Sequence, residues 1–220
     1  MKRVVMKRLV LAVCAATLLS AALTACVPLV VGGAVAGGAL VATDRRTSGA
    51  QLEDEGIELR AASRIRSNLG ERVHVNLTSY NRQVLLTGEV PNEQDKQLVE
   101  QIVSRVENVN SVVNELTIMG NTSLTQRSSD VLVTGRIKAM LVDARDLHLN
   151  AFKVVTERGT TYLMGRVTQR EADRATQVVR ATPGVQKVIR VFEIISEEEL
   201  ASMRPAPAKL QPVTDKPAGS

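Results

Sequence analysis

One pattern occurs twice in this chain, and it restricts the fold more than anything else in the 220 residues. Residues 85–90 read LLTGEV and residues 162–167 read YLMGRV, which places Gly88 on Gly165. Downstream, Val109, Val112, Val113, Leu116 and Ile118 fall on Val185, Val188, Ile189, Phe192 and Ile194. A period of about 70 residues is a duplicated domain, not a solenoid. Each copy is small, so its core is thin and packing against the other copy would add stability.

The periodicities give each copy the same order of elements. In the first, Ile57, Ala61, Ile65 and Leu69 recur every four residues, the spacing of one helical face. Val73, Val75 and Leu77 alternate with His74, Asn76 and Thr78, which predicts a half-buried strand. A turn at Asn81, Arg82 and Gln83 leads into a strand over 84–90. Pro91 and Asn92 open a second helix, with Leu98, Val99, Ile102, Val103 and Val106 on one face, and a last strand covers about 111–118. The second copy repeats this. Val133, Ile137, Met140, Leu141 and Ala144 form a helical stripe, and a hairpin turns at Arg158 and Gly159. A helix over 171–180 and a strand over 188–195 follow. The recurring Gly88 and Gly165 are expected to be structural, allowing a close helix approach or a local bulge.

The N-terminus carries its own signature. Lys2, Arg3, Lys7 and Arg8 precede an apolar run over 9–23, followed by Thr24, Ala25 and Cys26. A charged start, a short apolar run and small residues at its exit define a secretory signal. The run is short for a transmembrane helix. Leu23-Thr24-Ala25-Cys26 resembles a bacterial lipobox, which implies cleavage before Cys26 and acylation of that residue. Residue 27 is Val, not the Asp that commonly retains bacterial lipoproteins in the inner membrane, so the expected location is the periplasmic face of the outer membrane. Cys14 leaves with the signal, so the mature chain cannot form an internal disulfide. Loss of the first 25 residues takes the net charge from +5 to +1, and the whole-chain pI near 9.5 overstates the basicity of the mature protein. The glycine-rich apolar stretch after Cys26 is read as a flexible tether near the bilayer surface, with a membrane helix as the alternative. Four prolines in the last 19 residues suggest a disordered tail.

The ordered combination of these features resembles a known family. V-x-L-x-G-x-V, an amphipathic helix and then P-G-V-x-x-V is the pattern of the BON domain. It stands here as Val84-Leu85-Leu86-Thr87-Gly88-Glu89-Val90, and as Leu163-Met164-Gly165-Arg166-Val167 with Pro183-Gly184-Val185-Gln186-Lys187-Val188. Gly184 is therefore a third structural glycine. The first copy departs from the pattern, with Glu107-Asn108-Val109 in place of Pro-Gly-Val. With the lipobox, the small-residue stretch and Ala42-Thr43-Asp44-Arg45-Arg46-Thr47, the chain is similar to dual-BON outer-membrane lipoproteins over about residues 23–195. The resemblance implies an α+β fold of two tandem BON domains. Each would be α-β-β-α-β, with two helices packed on a small three-stranded mixed sheet. The expected division is a signal peptide over 1–25, an acylated tether over 26–50, BON domain 1 over 51–119 and a linker over 120–127. BON domain 2 over 128–195 and a tail over 196–220 complete it.

Charge separates the copies. Residues 51–118 hold seven basic and eleven acidic side chains, and residues 128–195 hold eleven basic and seven acidic. The halves are thus −4 and +4, which would let them attract each other or let the second meet an anionic surface. With Val133 at zero and about 100° per residue, Ile137, Met140, Leu141 and Ala144 point to the core. Val131, Lys138, Val142 and Arg145 point away, and Leu132 and Arg136 sit on the flank. An outward face mixing apolar and cationic residues suits the membrane interface. The family resemblance implies that this helix of the second domain binds anionic phospholipid such as phosphatidylglycerol or cardiolipin. Leu132, Arg136, Lys138 and Val142 are the first candidates, with Arg145 and Val131 beside them. The comparable first-copy face, with Glu55, Glu58, Arg60, Ser63 and Arg66, would not insert.

Little points to catalysis. With 2% aromatic residues the chain lacks the rings that single-stranded nucleic acid would stack on. His74 and His148 are expected to be structural. There is no G-x-S-x-G, H-E-x-x-H or phosphate loop, and no cofactor or metal is expected. Asp54 and Glu58 are read as favourable charges near a helix N-terminus. The leading expectation is a phospholipid-binding lipoprotein supporting envelope integrity, tied by the resemblance to division sites and envelope stress. The alternatives are an adaptor for outer-membrane assembly or cell-wall remodelling factors, using the acidic copy and exposed sheet edges, and a peptidoglycan-associated protein.

Overall fold

The computed structural model describes residues 44–120 and 123–203. The signal, Cys26 and the apolar tether lie outside them, as does most of the tail. In the first copy, α1 (Ser48–Leu69) leads into the hairpin β1 (His74–Tyr80) and β2 (Gln83–Val90). Helix α2 (Glu93–Ser104) then crosses to β3 (Ser111–Asn114) and β4 (Thr117–Ile118). In the second copy, α3 (Leu124–Asp143), β5 (Lys153–Glu157) and β6 (Thr160–Val167) precede α4 (Gln169–Arg180) and β7 (Lys187–Ile194). A short α5 (Glu197–Ser202) closes the described chain. Both sheets are mixed, with an antiparallel hairpin and a parallel third strand. Their registers match: Gln83 faces Ser111 as Thr160 faces Lys187. The fold is the α+β arrangement of two tandem α-β-β-α-β units.

Local chemistry sets the boundaries. Side chains at Thr47, Asn92, Ser123, Thr168 and Ser196 accept the first free helix N–H groups. Thr168 and Glu171 form a reciprocal capping box. Both hairpins are two-residue turns with positive φ, at Asn81 and Arg82 and at Arg158 and Gly159. The segment read as a linker contributes its last residues to α3, and the segment read as disordered begins with α5, which buries Leu200. The first residues of α1 come from the stretch assigned to the tether.

Each sheet uses both faces. In the first copy Val84, Leu86 and Val90 pack under Ile57, Ala61, Ile65, Val99 and Val103. In the second, Leu163 and Val167 pack under Val133, Ile137, Leu141, Ala175 and Val179. The opposite faces meet each other: Tyr80 and Leu85 join Tyr162, Met164 and Val191 in one buried cluster. The result is four layers, helices outside and two sheets inside, which explains why β2 is buried almost throughout. Burial and the nearby Glu115 carboxylate push the Tyr162 hydroxyl up to about 12.

Polar groups from both copies stitch this junction. Arg158 bonds the fully buried Glu89 and also Thr117. His74 Nδ1 lies 2.9 Å from the other Glu89 oxygen. Asn76 donates to Glu157, and Asn81 donates to Glu193. Burial, only partly offset by the Asn76 bond, raises the Glu157 pKa above the usual carboxylate range. The segment before α1 spans both copies: Arg45 makes two 2.7 Å bonds to Glu171, while Arg46 pairs with Asp54 and lies 4.3 Å over the Tyr80 ring.

The three structural glycines serve two different contacts. A Cβ on Gly88 would stand 2.1 Å from the His74 carbonyl oxygen, and one on Gly165 would stand 2.3 Å from that of Ala151. Both close approaches are to backbone: at Gly88 to the first residue of the neighbouring strand β1, and at Gly165 to the last residue of the 3-10 turn Leu149–Ala151 that precedes β5. Gly184 does serve a helix: its Cβ would meet Val133 of α3 at 2.6 Å. Asp54 also departs from expectation. It lies well inside α1, buried, and its carboxylate accepts from Ser79 Oγ and the Asn81 and Arg82 N–H groups, so it holds the hairpin turn and not a helix terminus. Asp130 does the same in the second copy, accepting from the Arg158 and Gly159 N–H groups.

Candidate lipid-facing helix

Helix α3 turns Val133, Ile137 and Leu141 into the second core. That anchors its rotation and decides which side chains face out. Val131, Leu132 and Val142 are 71%, 63% and 60% exposed. Arg136, Lys138 and Arg145 are exposed as well. Five of the six predicted residues, Val131, Leu132, Arg136, Lys138 and Val142, therefore lie on the surface of α3, whereas Arg145 lies in the turn just past the end of the helix. Met140 departs from the expected stripe: it is 40% exposed, because it sits at the rim of the buried arc beside Arg136.

The outward arc has two flanks. Val131 and Lys138 border a groove of about 580 Å³ shared with Thr134, Val154 and the first-copy residues His74 and Asn76. Arg136 lies on the other flank, near Gly184. Val142 continues the exposed strip toward the C-terminal end of the helix. Among the described residues, no hydrogen bond or ion pair engages the charged ends of Arg136, Lys138 or Arg145. By contrast, Lys153, Arg158 and Arg166 of the same copy are held by Glu58, Glu89 and Glu193. The basic excess of the second copy is thus divided between the domain junction and this open helix. Sequence reasoning missed Arg127, a half-buried cation that lines the groove one helical turn before the predicted patch. Its spacing from Val131 on the same helical face would have revealed it.

His74 lies in β1, while His148 precedes a single 3-10 turn at Leu149–Ala151. Among the described residues, no group of three His, Cys, Asp or Glu side chains could hold a metal. No described helix is long and apolar enough to cross a membrane.

Comparison with known proteins agrees with this architecture. The BON domain matches residues 54–120 and 129–196. The chain is 40% identical over 176 residues to the outer membrane lipoprotein DolP of Haemophilus influenzae, covering 79% of this chain and 90% of that one. It is 31% identical over 154 residues to a 21 kDa hemolysin of Actinobacillus pleuropneumoniae, covering 69% and 79%. Among solved structures, the C-terminal domain of CdsD, a type III secretion protein of Chlamydia trachomatis, gives a TM-score of 0.27 at 14% identity. That match covers 61% of this chain and 96% of the other, and is too loose to bear on function. Two BON domains in matching register, with a relative aligned across most of both chains, make this protein a member of the BON family and an outer-membrane lipoprotein.

Proposed function

We propose that the protein is a non-catalytic reader of anionic phospholipid, fixed to the periplasmic face of the outer membrane by acyl chains on Cys26. Helix α3 of the second BON domain makes the lipid contact, and the pairing of anchor and reader supports envelope integrity, including at division sites. The observation that carries this reading is the outward face of α3, where Val131, Leu132 and Val142 stand exposed beside Arg136 and Lys138, with Arg145 in the turn that follows, and among the described residues none of these cations has an ion-pair partner.

Magnitudes support a division of labour. Three cations near an anionic leaflet contribute about 3 kcal/mol in total. Partial burial of three apolar side chains adds about 3 kcal/mol more. The sum falls short of the roughly 8 kcal/mol of a micromolar site. The domain alone would bind weakly, and the anchor would raise its effective concentration at the bilayer. Lipidation by several chains provides the stable attachment.

The test is vesicle co-sedimentation of residues 42–220, the compact unit that carries both cores. Phosphatidylglycerol or cardiolipin vesicles are compared with neutral ones. Anionic-selective binding that Lys138→Glu and Val142→Asp each abolish is expected. Absence of binding to every vesicle would overturn the reading.

A further inference from the structure

The groove beside α3 has a counterpart in the first copy. There, Glu55, Glu58, Leu59 and Ala62 of α1 face Val75 and Leu77 of β1 across a groove of about 460 Å³. The two are the same feature. Core residues Ile57 and Ala61 correspond to Val133 and Ile137, so Glu55, Glu58 and Ala62 correspond to Val131, Thr134 and Lys138. Duplication therefore produced one groove twice with different linings. The second mixes cations and acids, Arg127 and Lys138 with Asp130 and Glu157, whereas the charged residues lining the first are both acidic, Glu55 and Glu58. Leu59 in the first is 73% exposed.

The wall of the first groove is an unpaired strand edge. Tyr80 and Gln83 flank the two-residue turn, so they form a hydrogen-bonded pair, as do Thr78 with Leu85 and Asn76 with Thr87. Alternation then aims the N–H and C=O groups of Val75, Leu77 and Ser79 away from β2. At Ser79 both are satisfied: the N–H donates to Glu58 at 2.8 Å and the carbonyl accepts from Lys153 at 3.3 Å. At Val75 and Leu77 no strand of the described residues pairs on that side, because among them β1 neighbours β2 alone. A further groove lined by Ala62, Arg66, Val73 and Arg127 continues along the same edge. Open edges of this kind template the addition of another strand.

We propose that this first-copy groove docks an extended, lysine- or arginine-bearing peptide segment of a partner protein. The segment pairs with β1 at Val75 and Leu77, lays apolar side chains against Leu59 and Ala62, and directs a cation to the exposed Glu55, since Glu58 is already held by Lys153 and the Ser79 N–H. Charge selects this occupant. An anionic lipid would be repelled by Glu55, and a second copy of β1 would bring its own Glu55 to the same place. Helix α1 runs antiparallel to β1 here, since Glu55 and Glu58 lie beside Leu77 while Arg66 lies beside Val73. The cationic end of the segment therefore sits toward Leu77.

The experiment uses the full-length protein in neutral detergent micelles and an acetylated, amidated heptapeptide alternating Lys and Val. Amide signals of Val75 and Leu77 should shift on titration. Glu55→Lys and Leu59→Lys, both at exposed positions, should each weaken binding at least about tenfold, and Val142→Asp should leave it unchanged. A peptide with N-methyl groups on its pairing edge should fail to bind. Equal binding of a Glu–Val heptapeptide would overturn the charge logic, retained binding after N-methylation would overturn the strand pairing, and shifts centred on β5 would overturn the location. No binding at all, or a dimer of the chain occluding β1, would overturn the proposal whether or not the domain binds vesicles.

Discussion

Asn81 and Arg158 occupy the same position in the two hairpin turns, and each reaches across the junction to the same position of the other copy. Asn81 donates to Glu193 at 2.7 Å, and Arg158 donates to Thr117. Glu193 and Thr117 are equivalent, since they face Arg166 and Glu89 in the parallel registers of the two sheets. Leu85 and Tyr162, also equivalent, meet in the shared apolar cluster. The junction thus has the self-complementary form of a two-fold homodimer interface, built within one chain. Charge divergence has since specialised it. The fully buried Glu89 meets Arg158, while its counterpart Arg166 meets Glu193 and Glu199.

Removing the buried carboxylate should cost far more than removing the exposed amide. Glu89→Ala removes the charged partner of Arg158, leaving it Thr117 alone, and the partner of His74, and is expected to lose about 3–5 kcal/mol. Asn81→Ala should lose about 1 kcal/mol. Urea unfolding of both variants checks the ratio, and a Glu89→Ala cost below that of Asn81→Ala would contradict the role assigned to Glu89.

Acid should weaken the fold through Asp54 and Glu171. Burial pushes both carboxyls up, but hydrogen bonds outweigh it and hold both below the usual range. Ser79, the Arg82 N–H and Arg46 act on Asp54, and Arg45 and the Thr168 N–H act on Glu171. Their stabilisation is fully present above the ordinary carboxylate pKa of about 4. It is lost as pH falls through the depressed folded values. Glu157 acts in the opposite sense, since its raised pKa means its cost appears as pH rises. Asp54→Asn should cost about 3 kcal/mol at neutral pH. It should also flatten the pH dependence of unfolding free energy below about pH 4, as measured by urea titrations across that range.

Gly88→Ala should be among the most damaging small substitutions. The new methyl would stand 2.1 Å from the His74 carbonyl oxygen, and the backbone there has φ of 114°. A loss of at least about 3 kcal/mol is expected. Thermal unfolding gives the comparison, with Gly70→Ala as the control: it shares a positive φ but has open space around it and should cost about 1 kcal/mol.

Vesicle binding should fall with salt because Arg136, Lys138 and Arg145 act through solvent. At about 1 M salt the Debye length is roughly 3 Å, and the contribution of the cations should be largely screened. Val142→Asp should reduce binding at every salt concentration, since it removes an apolar contact and adds a repelled charge. Binding that is insensitive to salt would argue against a cationic contact.

The sequence alone determined the duplication, the element order and the core stripes. Ile57, Ala61 and Ile65, or Val133, Ile137 and Leu141, can satisfy their spacing only on a helix with one buried face. The outward placement of Val131, Leu132, Arg136, Lys138 and Val142 on α3 was legible for the same reason, because what is not on the stripe must face elsewhere, whereas Arg145, read as part of the same face, lies past the end of the helix. What tertiary structure alone decided was the meaning of single polar residues. Asp54 sits at helical spacing in any reading, but its partners Ser79, Asn81 and Arg82 lie more than twenty positions away along the chain. Gly88 could be recognised as structural, yet the His74 carbonyl it accommodates belongs to the neighbouring strand. The opposite charges of the two copies were countable, but only the folded arrangement separates Arg158, spent on Glu89, from Lys138, left facing solvent. Periodicity records which face of an element is buried, whereas pairing between distant residues depends on how two sheets stack, and no local pattern encodes that.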